Sequence, residues 1–74
     1  MPKTIYSDKY KRVLELLRQA RKDAGLTQID VAGALGKSQS YVAKCESGER
    51  RIDVVELYEF ANLYQKSIGF FLDE

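Results

Sequence analysis

Histidine and tryptophan are absent from this sequence, and cysteine, proline and methionine occur once each. Without histidine, and with Cys45 as the lone thiol, the chain has no ligand set for a structural zinc site and no internal disulfide. No stretch approaches the ~20 apolar residues that a bilayer crossing needs, and the N-terminal residues offer no apolar run of about 7–15 residues like that of a secretory signal. These absences set aside metal-stapled, disulfide-stapled and membrane-spanning designs. A cytoplasmic, reducing location is the expectation, with no cofactor and no membrane partner.

What remains is a chain of 74 residues, 45% hydrophobic and 31% charged. That composition belongs to compact globular domains, and the length lies near the lower limit at which one apolar core suffices. A single domain over residues 1–74 is expected, with residues 1–6 as a flexible or dimer-associated N-terminal arm. The net charge is only +1, but it is unevenly laid out: residues 1–22 carry +5, residues 23–51 are neutral and residues 52–74 carry −4. Such asymmetry suits a nucleic-acid face set opposite an acidic one.

Apolar residues recur with helical spacing, and no segment alternates with the period of two that a half-buried strand requires. The fold class is therefore all-α. Ser7 can cap a first helix that turns Tyr10, Val13, Leu14, Leu17 and Ala24 inward and Lys11, Arg12, Glu15, Arg18 and Lys22 outward, with Gly25 at its end. Thr27 can cap a second, with Asp30 completing a capping box and Val31, Ala32 and Leu35 as its buried face; Gly36 stops it. Ser38 caps a third, with Val42 and Cys45 inward and Ser47-Gly48 at its close. Asp53 caps a fourth, with Val54, Leu57, Tyr58, Ala61 and Leu63 or Tyr64 inward. A last short turn starts near Ser67 and presents Ile68, Phe71 and Leu72.

Gly36-Lys37-Ser38 has the ending of a phosphate-cradling loop, but Val31 stands where that loop requires glycine, and the preceding residues are patterned as a helix rather than a strand. Residues 28–47 fit another arrangement better. Two short helices cross at Ala32, small enough for close approach, and turn at Gly36, which tolerates positive φ. Val31 and Leu35 then meet Val42 and Cys45 beneath the crossing.

The run "GLTQIDVAGALGKSQSYVAKCESGERRIDVVEL" resembles the Cro and phage-repressor type of helix-turn-helix, the xenobiotic-response-element-like regulators, and the resemblance extends over roughly residues 8–72. It implies a compact five-helix domain with a central helix-turn-helix, binding double-stranded DNA as a homodimer with its third helix in the major groove. The chain departs from the family pattern at Ile29, Gly33, Cys45 and Gln65. The resemblance also places Gln28 against the phosphate backbone and pairs Arg21 with Glu46 between the first and third helices.

At about 100° per residue, Ser40, Ala43, Lys44 and Ser47 share the side of the third helix opposite Val42 and Cys45, and Gln39 lies at its leading end. A glutamine amide matches adenine N6 and N7, a lysine ammonium suits guanine O6 or N7, and a methyl such as that of Ala43 can meet the thymine methyl. Gln39, Ser40, Ala43 and Lys44 are thus the candidate base readers. Thr27, Gln28, Lys37, Tyr41, Ser47, Arg50 and Arg51 are the candidate phosphate contacts, which orient a protein on the duplex without reading sequence.

Plainer roles stand beside these. Polar residues at a helix start serve as solvated caps, Arg50-Arg51 is equally a solvated loop, and Tyr41 is divided between phosphate contact and packing. Cys45 reads as a small buried hydrophobe rather than a redox sensor. Asp53, Glu56 and Glu59 suggest helix-start charge rather than catalytic carboxylates, so no enzyme activity is expected. One of Phe70 and Phe71 is expected to seal the core and the other to stay on the surface. With Ile68, and with Ile5 and Tyr6, they form the candidate dimer patch. A dimer would set two recognition helices about 34 Å apart on an inverted repeat. A separate regulatory protein partner is compatible with so short a chain. The near-neutral charge and the acidic C-terminal third also keep open a different class, a protein-interaction module of the antitoxin kind.

Overall fold

The computed structural model describes residues 7–72, and the expected N-terminal arm, including Ile5 and Tyr6, lies outside the described residues. Five helices follow one another: α1 (Asp8–Asp23), α2 (Gln28–Leu35), α3 (Gln39–Ser47), α4 (Val54–Leu63) and α5 (Ile68–Phe71). Each begins the same way. Ser7, Thr27, Ser38, Asp53 and Ser67 have extended backbones, and the side chain of each accepts a hydrogen bond from the backbone N–H three residues on. Such a cap is worth about 1 kcal/mol. Thr27 with Asp30, and Asp53 with Glu56, form full reciprocal capping boxes.

The helix ends share a device as well. At Gly36, φ is +69° and the Lys37 N–H reaches back to the carbonyl of Ala32 at 2.9 Å, closing α2 with a left-handed residue that glycine adopts without strain. The end of α4 repeats this with Lys66 N–H on the Ala61 carbonyl at 2.9 Å, but the left-handed residue there is Gln65, φ +58°. A side chain in that region costs about 1–2 kcal/mol.

α3 rests on α1 and α2, while α5 packs against α1 and α4. Leu17, Ala20, Val31, Val42, Cys45, Phe60 and Phe71 meet in the centre, each fully excluded from solvent. Tyr41, Phe60 and Tyr64 stack in a row with centroids 6.3 and 6.1 Å apart, and Phe70 meets Phe71 edge-on at 5.1 Å.

The expected face is rotated in α4 and differs at single positions in α1 and α5, where Leu14, Leu17 and Phe71 are buried and Tyr10, Val13 and Ile68 half-buried as expected. In α1, Leu16 and Ala20 are buried, whereas Ala24 lies beyond the helix end and is exposed. In α4 the inward stripe is Leu57, Phe60, Ala61 and Tyr64, and Val54 and Tyr58 are 72% and 57% exposed. Both stripes have helical spacing and hold a tyrosine; the observed one also buries Phe60, where the expected one would bury the smaller Val54, and so removes more apolar area from water. In α5, Phe71 enters the core while Leu72 stays 52% exposed. Among the described residues, no helix is long and apolar enough to cross a membrane.

Candidate nucleic-acid interface

α3 divides cleanly. Val42 and Cys45 are fully buried; Gln39, Ser40, Lys44 and Ser47 are exposed and Ala43 is half-buried. The outward row is therefore short, polar and free of acidic side chains. Cys45 has no exposed surface and burial pushes its thiol pKa up, which leaves it an unreactive part of the core.

Glu46, also on α3, is only 2% exposed although charged. Arg21 of α1 holds it, Nε donating to Oε2 at 2.7 Å and Nη2 to Oε1 at 3.3 Å, and a third Arg21 N–H donates to the Leu26 carbonyl at 3.0 Å. The hydrogen bond to Glu46 raises the guanidinium pKa further. Arg18, expected to face solvent, is half-buried and donates to the backbone carbonyl of Glu46 at 2.6 Å. Its spacing of three from Arg21 was the signal, since i and i+3 share a helix face. The polar network extends outward: Gln28 Nε2 donates to Glu46 Oε1 at 3.0 Å, and Gln39 Nε2 donates to Gln28 Oε1 at 3.3 Å. The first residues of α2 and α3 thus touch, and the touching pair is tied to α1.

The remaining candidates fall into two groups. Lys37 and Arg50 both lie over the Tyr41 ring, at 5.3 and 4.8 Å from its centroid. Tyr41 itself is half-buried against Phe60, and its hydroxyl lies toward Cys45 and Glu56, with burial raising its pKa. Arg50 grips Glu56 in a two-pronged pair at 2.9 and 2.8 Å and donates to the Arg51 carbonyl at 3.1 Å. That pair, with the backbone N–H of Asp53, holds the Glu56 carboxyl down at about 2. Tyr41 and Arg50 hence brace the loop between α3 and α4. Arg51 sits apart from them, over the Tyr10 ring at 5.0 Å, and the Tyr10 hydroxyl accepts the Ile52 N–H at 3.1 Å. Ser47 is engaged in its own turn, donating to the Lys44 carbonyl and accepting from Glu49 N–H. Thr27 is exposed at the start of α2, its hydroxyl accepting the Asp30 N–H.

Of the candidate dimer residues, Ile68 and Phe70 are half-buried and Phe71 is fully buried, so Phe71 has no surface to offer a partner.

A pair of helices crossing at a glycine turn, with the second presenting a polar face, defines a helix-turn-helix DNA-binding protein. A family model described as helix-turn-helix matches residues 17–71. Among solved structures, an XRE-family like protein from Pseudomonas syringae pv. tomato str. DC3000 superposes with a TM-score of 0.81 at 39% identity, covering 89% of this chain and 82% of its own. No curated protein matches the sequence. The chain belongs to the Cro/C1-type helix-turn-helix family, the XRE-type DNA-binding regulators, which are not enzymes.

Proposed function

We propose that the protein is a sequence-specific transcriptional regulator of the cytoplasm that lays α3 in the major groove of double-stranded DNA. The observation that carries this is the outward row of α3: it is polar, carries no acid, and belongs to a helix packed on the two helices behind it. Gln39 and Lys44 read bases, with Ser40 and Ala43 beside them, and each good contact is worth about 1–3 kcal/mol of discrimination. Thr27 and Gln28 meet the phosphate backbone at the N-terminus of α2, where free N–H groups and the helix dipole favour anions. Lys37 and Arg51 add positive charge, while Tyr41, Ser47 and Arg50 act through the loop and turn they brace. A homodimer on an inverted repeat doubles the sequence read. Its contact face is α5 with the end of α4, through Ile68, Phe70 and the exposed Leu72.

One observation favours a second reading, a module that grips a protein partner. Val54, Val55 and Tyr58 form an exposed apolar face on α4, 72%, 62% and 57% exposed. Titration against mixed-sequence duplex DNA at several salt concentrations separates the two. Phosphate-driven binding weakens with log affinity linear in log salt, and Gln39→Ala and Lys44→Ala then lose sequence preference while keeping helicity. Salt-insensitive or undetectable DNA binding favours the protein-partner module.

A further inference from the structure

The match to the helix-turn-helix family begins at residue 17, whereas α1 begins at Asp8, so the first turns of that helix lie ahead of the matched stretch. Tyr10 stands there, half-buried, and reaches a loop residue forty-two positions on. Its hydroxyl accepts the Ile52 N–H at 3.1 Å, and the Arg51 guanidinium carbon lies 5.0 Å from the centroid of its ring. One side chain thus holds two consecutive residues, one by its backbone and the other by its charged head. The neighbouring anchors differ: the Arg50 N–H bonds to the Lys44 carbonyl, and the Arg50 guanidinium and the Asp53 N–H bond to Glu56. Those close the loop between α3 and α4, while Tyr10 ties its middle to a third helix. Tyrosine suits both contacts, since its hydroxyl accepts a hydrogen bond at the tip of a stiff side chain and its ring face attracts a cation.

We propose that Tyr10 is a positioning residue for DNA affinity: it holds Arg51 and the Ile52 backbone so that Arg51 meets a phosphate already ordered. This rests on the reading of α3 as the DNA-reading helix, since the loop that carries the exposed Arg51 follows directly from it. Arginine has many rotamers to lose, and immobilising one such side chain at an interface lowers affinity by a factor of about five. A guanidinium seated over a ring has surrendered that freedom before the duplex arrives. Phosphate contacts carry no sequence information, so Tyr10 sets the strength of binding and not the choice of site.

The test uses the full chain, duplexes that it selects from a random pool, and duplexes of mixed sequence, with affinity measured at several salt concentrations and at a temperature where each variant keeps wild-type helicity. Tyr10→Leu is expected to weaken binding about fivefold on both kinds of duplex. It leaves the slope of log affinity against log salt as in wild type, because the cation is still present. Arg51→Gln removes the cation and lowers that slope by about 0.9. In the Arg51→Gln background Tyr10→Leu causes no further loss, since there is no arginine left to place. Should Tyr10→Leu fail to fold, Tyr10→Phe, which removes only the acceptor of the Ile52 N–H, decides through the same pairing with Arg51→Gln. A Tyr10 variant that binds as wild type does, or whose loss multiplies with that of Arg51→Gln in the double variant, overturns the positioning role while the DNA-reading role of α3 stands. An Arg51→Gln protein with wild-type affinity and slope overturns it equally. A wild-type protein whose DNA binding is undetectable or insensitive to salt overturns both readings.

Discussion

Replacing Arg21 by alanine strands a charge. The Glu46 side chain is 3% exposed and that of Arg21 14%, so the pair sits almost wholly outside solvent. Removing one partner of a buried pair costs about 3–5 kcal/mol, because the remaining charge keeps its desolvation penalty without its counter-ion. Here the Gln28 amide still donates to Glu46, which places the effect near about 3 kcal/mol, with the Leu26 carbonyl losing its donor as well. A domain of 74 residues has a total stability of about 4–11 kcal/mol. A loss of about 3 kcal/mol lowers the melting temperature by roughly 12–24 °C in a domain of this size. Circular dichroism melts at neutral pH measure it directly. The double variant Arg21→Leu/Glu46→Leu separates charge from packing: apolar replacement of both partners of a buried pair is often neutral, so most of the lost stability is expected to return. A single variant melting within about 4 °C of wild type, or a double variant no more stable than the single, refutes the view of Glu46 as a desolvated charge dependent on Arg21.

Glu56 is held at about 2, below its ordinary value, so its contribution to stability is complete above about pH 5 and is lost as pH falls toward 2. Urea unfolding at a series of acid pH values is expected to show a shallower pH dependence in Glu56→Gln than in wild type, and matching slopes would point to other carboxylates. Gln65→Gly relieves the left-handed backbone at the end of α4 and is expected to raise stability by about 0.5–1 kcal/mol, part of the relief being offset by the freer unfolded chain; a lower urea midpoint would contradict this. The buried Tyr64 hydroxyl has no protein hydrogen-bond partner among the described residues, and burial raises its pKa. Tyr64→Phe is accordingly expected to unfold within about 1 kcal/mol of wild type, and a larger loss would show that the hydroxyl is satisfied in solution.

Local chemistry was legible in the sequence and tertiary choice was not. The caps at Ser7, Thr27, Ser38 and Asp53 depend on atoms within three residues, and each stands where its side chain and spacing indicate. The two faces of α3 were equally plain, because Val42 and Cys45 are its well-spaced apolar residues. α4 was ambiguous, since Val54, Leu57, Tyr58 and Ala61 make as regular a stripe as Leu57, Phe60, Ala61 and Tyr64. The decision rests on what the neighbouring helices leave open. The site shows the same division. Exposure of Lys44 followed from helical angle and that of Gln39 from its place at the leading end of α3, whereas the contact of Gln28 with Glu46 spans eighteen positions of chain and exists only once α2 and α3 have crossed. Arg50 illustrates how a cation that looks available in sequence is already engaged by an acid six residues on.

The lone thiol gives the molecule a built-in stopwatch. Cys45 lies on the underside of α3 with no exposed surface, so an alkylating reagent reaches it only while that helix is lifted from the rest or the whole chain is open. The rate of labelling therefore reports those openings without an engineered cysteine. Comparing it with and without duplex DNA, or between variants at Arg18 and Arg21, would report how firmly α3 is seated.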